Sequence, residues 1–275
     1  MANVRIIYDN AAERASNITA STTVTNGLAA TSLATNTKSL AHRSTGTTVT
    51  YTLSWPSSEQ INGIILPATN LSSSATISAV VNGITTISAI NACTSTTLDN
   101  YSGVKNVNSF PYGGLSKTAL WFPSTYNVTT LTINLADNGK TTIGNPAYPS
   151  YIDCSRIVCG KYWEPSLGVN KDGLELTISD TTQTSRSDAG DLYADRGTIH
   201  DQLNFNLGVL SKTDKQELIK IIKYVGNYRN IAVSVFPEGN NRNEQDYIIY
   251  GKREISSISY LVHDFYSNSF SIIGW

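Results

Sequence analysis

From Thr48 to Leu53 the side chains alternate, with Val49, Tyr51 and Leu53 on one face. That period of two governs most of the first 160 residues and limits what they can fold into. Ala75 to Val81 repeats it, as does Leu131-Thr132-Ile133-Asn134-Leu135. Ile61 to Leu66 is a compact apolar run that Pro67 is expected to end, and Ile152 to Val158 closes the series. Successive side chains of a strand point to opposite faces, so each run offers one apolar face to a core. Short alternating strands separated by Gly, Asn, Ser and Pro predict a β-sandwich or jelly roll. No helix longer than two turns is expected in this half.

The second half reads differently. Leu174 to Ile178 and Leu203 to Val209 alternate, and one amphipathic helix follows. Ser211 is placed to cap it, with Asp214 three residues on as in a capping box. Leu218, Ile221, Ile222 and Val225 fall on one stripe, and Gly226 stands where a helix stops. Strands resume at Ile231 to Phe236, Tyr247 to Tyr250, Ile255 to Leu261 and Phe270 to Ile273. This order predicts an α+β domain with one helix on a mainly antiparallel sheet. The fold class expected for the whole chain is therefore mainly β: an N-terminal β-sandwich or jelly roll, then a C-terminal α+β domain.

Charge supports the division. Residues 1–150 hold seven Lys/Arg and five Asp/Glu, whereas the remaining 125 hold 13 and 16. Surfaces that differ this much suggest two domains, with a linker near Trp163-Glu164-Pro165-Ser166-Leu167-Gly168. The expected units are 1–165 and 166–275. Charged residues make up only 15% of the chain and its formal net charge is −1, with no basic run, so binding of nucleic acid by a charged face is not expected. No segment is long and apolar enough to predict a membrane-spanning helix. Met1 to Arg5 runs into Tyr8-Asp9-Asn10 without an apolar leader core, so Cys93, Cys154 and Cys159 are expected to be free, buried thiols in a reducing cytoplasm.

Chemistry-bearing patterns are sparse. His42, His200 and His263 have no second His or Cys at ligand spacing, and no G-x-S-x-G elbow or phosphate-binding glycine loop occurs. Asp188, Asp191 and Asp195 form the most acidic stretch but lack the alternating calcium-loop pattern, so a solvated turn is expected. No catalytic, cofactor-binding or metal-ligating residue is assigned, and no cofactor. Aromatic side chains on which a sugar ring could stack remain. Trp55, Tyr112, Trp121 and Trp163 lie near strand ends or loops, at least two of them expected in the core. Tyr112, in the loop Ser109 to Leu115, and Trp121 are the candidate glycan contacts.

Two resemblances follow from particular residues. Asn17 to Ser21, Arg43-Ser44, Val49 to Leu53 and Ile61 to Leu66 together resemble the galactose-binding-like, discoidin-type jelly roll over roughly the first 160 residues. That family often has an aromatic residue before the R-S element, where this chain has His42, so its sugar function does not carry over. The whole chain also resembles a set of phage tail proteins of about this length. The matching segments are Asn3 to Ala12, Ser155 to Pro165, Arg186 to Leu192, Ser234 to Glu238 and Ile249 to Lys252. This resemblance implies a structural protein of the distal tail or baseplate of a virion, made in the bacterial host cytoplasm. It also implies a C-terminal domain similar to the tail-tube fold, which would form a trimeric or hexameric ring and contact other tail proteins. A carbohydrate-binding adhesin that recognises a bacterial surface glycan is the alternative. An enzyme acting on cell-wall polysaccharide ranks third, for want of a carboxylate pair or nucleophile.

Overall fold

The computed structural model describes residues 3–93, 116–138, 151–195, 197–254, 257–262 and 265–275. Strands, numbered along the chain, form two large antiparallel sheets and one small ribbon. The first sheet contains β2 (Asn17–Ala20), β3 (His42–Arg43), β4 (Thr48–Thr69), β5 (Ala75–Val81), β6 (Thr85–Asn91), β7 (Ser116–Asp137), β8 (Asp153–Cys154) and β9 (Val158–Gly160). Its order is β3-β8-β4-β7-β5-β6, and β2 and β9 also pair with β4.

The central strands β4 and β7 each run for 22 residues. Their register breaks between Ser54 and Glu59 and again between Ile61 and Gly63. Extra residues in one strand bend a pair, so both halves of β4 fold over a single core. Val49, Tyr51 and Leu53 from its first half and Ile61, Ile64 and Leu66 from its second join Leu131, Ile133 and Leu135 there. Pro67 therefore does not end a strand, contrary to expectation. It lies in a further irregularity between Leu66 and Thr69, where proline's missing N–H is tolerated. The run Ile152 to Val158 is likewise two short strands, β8 and β9, with a fully buried Arg156 between them.

The second sheet has the order β10-β1-β15-β16-β18-β14-β11. Its members are β10 (Tyr162–Trp163), β1 (Arg5–Ile7), β15 (Asn230–Ser234), β16 (Ile248–Arg253), β18 (Phe265–Gly274), β14 (Ile199–Leu210) and β11 (Asn170–Asp180), while β17 (Ile258–Val262) pairs with β18. Helix α1 (Lys212–Val225) starts at Ser211, whose hydroxyl accepts from the Asp214 N–H at 3.1 Å, and stops at Gly226 with φ +56. Leu218, Ile221 and Val225 pack into a core with Leu203, Phe205, Ile231, Val233 and Ile249.

The division at 165 does not coincide with the division between sheets. Arg5–Ile7 pairs with Tyr162–Trp163 and with β15, so both ends of the 1–165 segment belong to the second sheet and the jelly roll is inserted between them. Alternation explains how. Ile6 enters the second core, while the next residue, Ile7, enters a third cluster with Ile65, Ala119, Val158, Ala232, Ile248 and Tyr250. That cluster joins the two units. Strands β1, β15 and β16 are thus covered on both faces, which is why Ile231-Ala232-Val233 is apolar at three successive positions instead of alternating.

Candidate functional site

Trp121 sits on β7 at this junction. Gly63 gives it room: a Cβ there would lie 2.6 Å from the indole ring. The indole N–H donates to Glu244 at 2.8 Å, its ring meets Tyr162 edge-on at 5.3 Å, and the Arg5 guanidinium lies 5.1 Å from its centre. Glu244 belongs to helix α2 (Arg242–Asp246), in the connection between β15 and β16. Its fully buried carboxylate also accepts from Ser234 Oγ (3.0 Å) and from the N–H groups of Glu238 (3.0 Å) and Asn240 (2.6 Å). Asn240, at φ +63, completes a latch. Its side chain accepts from the Ala119 N–H at 2.7 Å and donates to the carbonyls of Asn91 and Ala119. Trp121 is therefore committed to joining the two units, and what remains open of it lines a groove of about 460 Å³ with Arg5, Ser88, Ile90 and Tyr126. The other candidate contact, Tyr112, and its loop lie outside the described residues. Trp55 and Trp163 are buried.

The acidic stretch is the tip of an arm. Strands β11 and β14 continue past the sheet as a ribbon of β12 (Gln183–Arg186) and β13 (Leu192–Asp195). Gly190, at φ +89, allows the turn: its N–H donates to the Ser187 carbonyl, and the Ser187 N–H donates to the Asp191 carbonyl. Asp188 and Asp191 flank this turn, and Asp195 sits lower on the ribbon opposite Gln183. Among the described residues no three His, Cys, Asp or Glu side chains cluster as metal ligands. Every residue of β12 and β13 is exposed, including Leu192 at 62% and Tyr193 at 58%. Across the sheet, β17 pairs only with β18 among the described strands and exposes Tyr260 (64%) and Leu261.

His42 and the cysteines are core residues. One ring nitrogen of His42 is 3.0 Å from the Tyr51 hydroxyl and the other 3.0 Å from the Thr23 hydroxyl. Burial pushes its pKa below the usual imidazole value, and Asp153 offsets this in part. All three cysteines are free and buried; burial pushes Cys154 and Cys159 up to about 12, leaving both as thiols. His263 lies outside the described residues.

The sequence reading does not single out Trp275. It lines three adjoining hollows, and its indole N–H donates to the Asn36 carbonyl at 2.6 Å. No local signal marks it, because its surroundings come from Asn36 and Lys38 in the jelly roll and Tyr228 to Lys252 in the second sheet.

No protein-family model matches the chain, and no curated protein matches it. Among solved structures, it is similar to CpGH89CBM32-5 of Clostridium perfringens in complex with GalNAc-β-1,3-galactose: 14% identity over 53% of this chain and 94% of that one, TM-score 0.35. It is similar to chitosan-binding module 1 of a chitosanase/glucanase from Paenibacillus sp. IK-5, with 15% identity over 56% and 99% and a TM-score of 0.36. It is also similar to a Streptococcus pneumoniae fucose binding module, with 9% identity over 56% and 99% and a TM-score of 0.35.

Proposed function

We propose that this chain is a non-catalytic structural protein of a phage tail tip, assembling with copies of itself through the second sheet. One observation carries this reading: two strands of the sheet, β11 and β17, have no second neighbour among the described strands, and both bear exposed apolar side chains, Ile178 on β11 and Tyr260 and Leu261 on β17. A bare two-stranded ribbon is marginal by itself, and unpaired edges template further pairing. Because the arm and β17 are different surfaces, the contact would be head-to-tail, the kind of interface from which rings are built. The virion setting rests on the sequence resemblance. Replacing residues 183–195 with a Gly-Gly turn tests the reading by light scattering after size exclusion. The full chain is expected to run as a discrete trimer or hexamer and the shortened chain as a folded monomer. Assembly that survives the deletion would remove the arm from the interface.

A second reading, recognition of a surface glycan, is favoured by the groove at Trp121, which combines aromatic walls with Arg5 and the Ser88 hydroxyl. Aromatic walls with a few convergent polar groups are the usual make-up of a small-molecule site. A glycan array probed with the full chain and with S88W, which fills the groove from an exposed position, tests it. Signals abolished by S88W support the reading, and an empty array or signals indifferent to S88W oppose it.

A further inference from the structure

Two grooves meet at the segment Ile273-Gly274-Trp275, and we infer that together they form a binding site for an acidic oligosaccharide lying across Trp275. One has a volume of about 420 Å³ and is lined by Asn36, Tyr228, Asn230 and Lys252. The other, about 390 Å³, is lined by Lys38, Ser39, Thr198 and His200. Both volumes lie within the range of roughly 300–1,000 Å³ usual for small-molecule sites. The site is remote in composition from the Trp121 groove, sharing none of its lining residues.

The lining chemistry selects the ligand class. Each groove presents one lysine, and neither lining contains an Asp or Glu side chain; Asp201, which acts on Lys38 from the adjoining hollow, is paired with Lys117. Lys252 is exposed and makes no ion pair with a described residue. Lys38 is held in place by donating to the Trp275 carbonyl at 3.1 Å, and burial pulls its pKa down, so an incoming anion would offset the lost hydration of its ammonium. Asn36 is oriented too. Its Oδ1 accepts from the Tyr250 hydroxyl at 2.7 Å and from Asn230 Nδ2 at 3.2 Å, which leaves its own Nδ2 to donate elsewhere. Trp275 is fixed by its bond to the Asn36 carbonyl and by an edge-on contact with Tyr250 at 5.4 Å. Tyr228, 68% exposed, is steadied by Arg229, whose Nε donates to its hydroxyl at 2.8 Å. Preplaced rings suit the C–H faces of pyranose units, an amide and a histidine suit hydroxyls, and two ammonium groups spaced along the cleft suit acidic substituents on successive units.

Calorimetric titration of the full chain with trigalacturonate, and with maltotriose as a neutral trisaccharide, tests the inference. Saturable binding of trigalacturonate is expected, at least tenfold tighter than maltotriose and weakening as salt is raised. K252Q and Y228A, both at exposed positions and expected to leave Tm unchanged, should each weaken it about tenfold or more. Three results overturn the inference: no saturable binding of trigalacturonate, equal binding of the two sugars, or binding unaffected by both variants. Self-association that Y228A abolishes, with no sugar bound, assigns the cleft to a second copy instead and equally overturns it.

Discussion

Glu244 shows how a charge is kept inside this protein. Its carboxylate is fully buried, yet Trp121, Ser234 and two backbone N–H groups donate to it, so burial is compensated. Glu244→Ala strands four buried donors at about 1–3 kcal/mol each before relaxation and should cost about 3 kcal/mol or more in chemical denaturation, whereas Trp121→Phe loses one bond and should cost about 1–3 kcal/mol. A cost for Glu244→Ala no larger than for Trp121→Phe would contradict this picture of the latch. His42 sets a pH dependence. Its folded pKa is below the usual 6.5, so the unfolded chain takes up the proton first. Its contribution is intact above about pH 6.5 and falls as pH drops from there toward the folded pKa, by at most about 1.4 kcal/mol per pH unit. Denaturation midpoints between pH 7.5 and 5 should therefore decline, and less steeply in His42→Gln. An identical decline in the variant would assign it to other groups.

At the level of elements, Ser211→Ala should cost about 1 kcal/mol by removing the cap of α1. Gly226→Ala should cost about 1–3 kcal/mol because φ +56 with ψ −144 is a backbone conformation that an L side chain resists. Thermal denaturation of both variants checks these values. Helix α1 was legible because its signals are local: a cap, a stripe at helical spacing and a stop. The alternation of β5 and of both halves of β4 was legible for the same reason. Strands β1 and β10 were not, since three and two residues carry no period. Their pairing depends on β15, more than two hundred residues along from β1. Site residues divide the same way. Trp121 stands out as an aromatic in a polar chain, but nothing near it announces that Glu244 will reach its N–H. Nothing local to Arg156 or Glu244 signals burial; their partners are distant in sequence or in another strand, Glu13 and Tyr250 for one and Trp121 and Ser234 for the other.

For the whole molecule, the insertion of the jelly roll between β1 and β10 has a mechanical consequence. Residues 166–275 alone lack both strands and bare Ala232, Ile248 and Tyr250, while 1–165 alone bares Ile65 and Val158. Scanning calorimetry of the intact chain should show one cooperative transition, since the third cluster couples the two cores; two separated transitions would mean that the units are independent. A rigid body of this kind suits the assembly proposed above, with β11 leading into the arm at one edge and β17 offering a second strand edge with no partner beyond β18 among the described strands. The most direct measurement is mass photometry of the full chain across a concentration series, beside Leu192→Glu/Tyr193→Glu. A discrete trimer or hexamer for the natural chain and a folded monomer for the variant is the expected result. A natural chain that stays monomeric throughout, or a variant that assembles equally well, would contradict assembly through the second sheet.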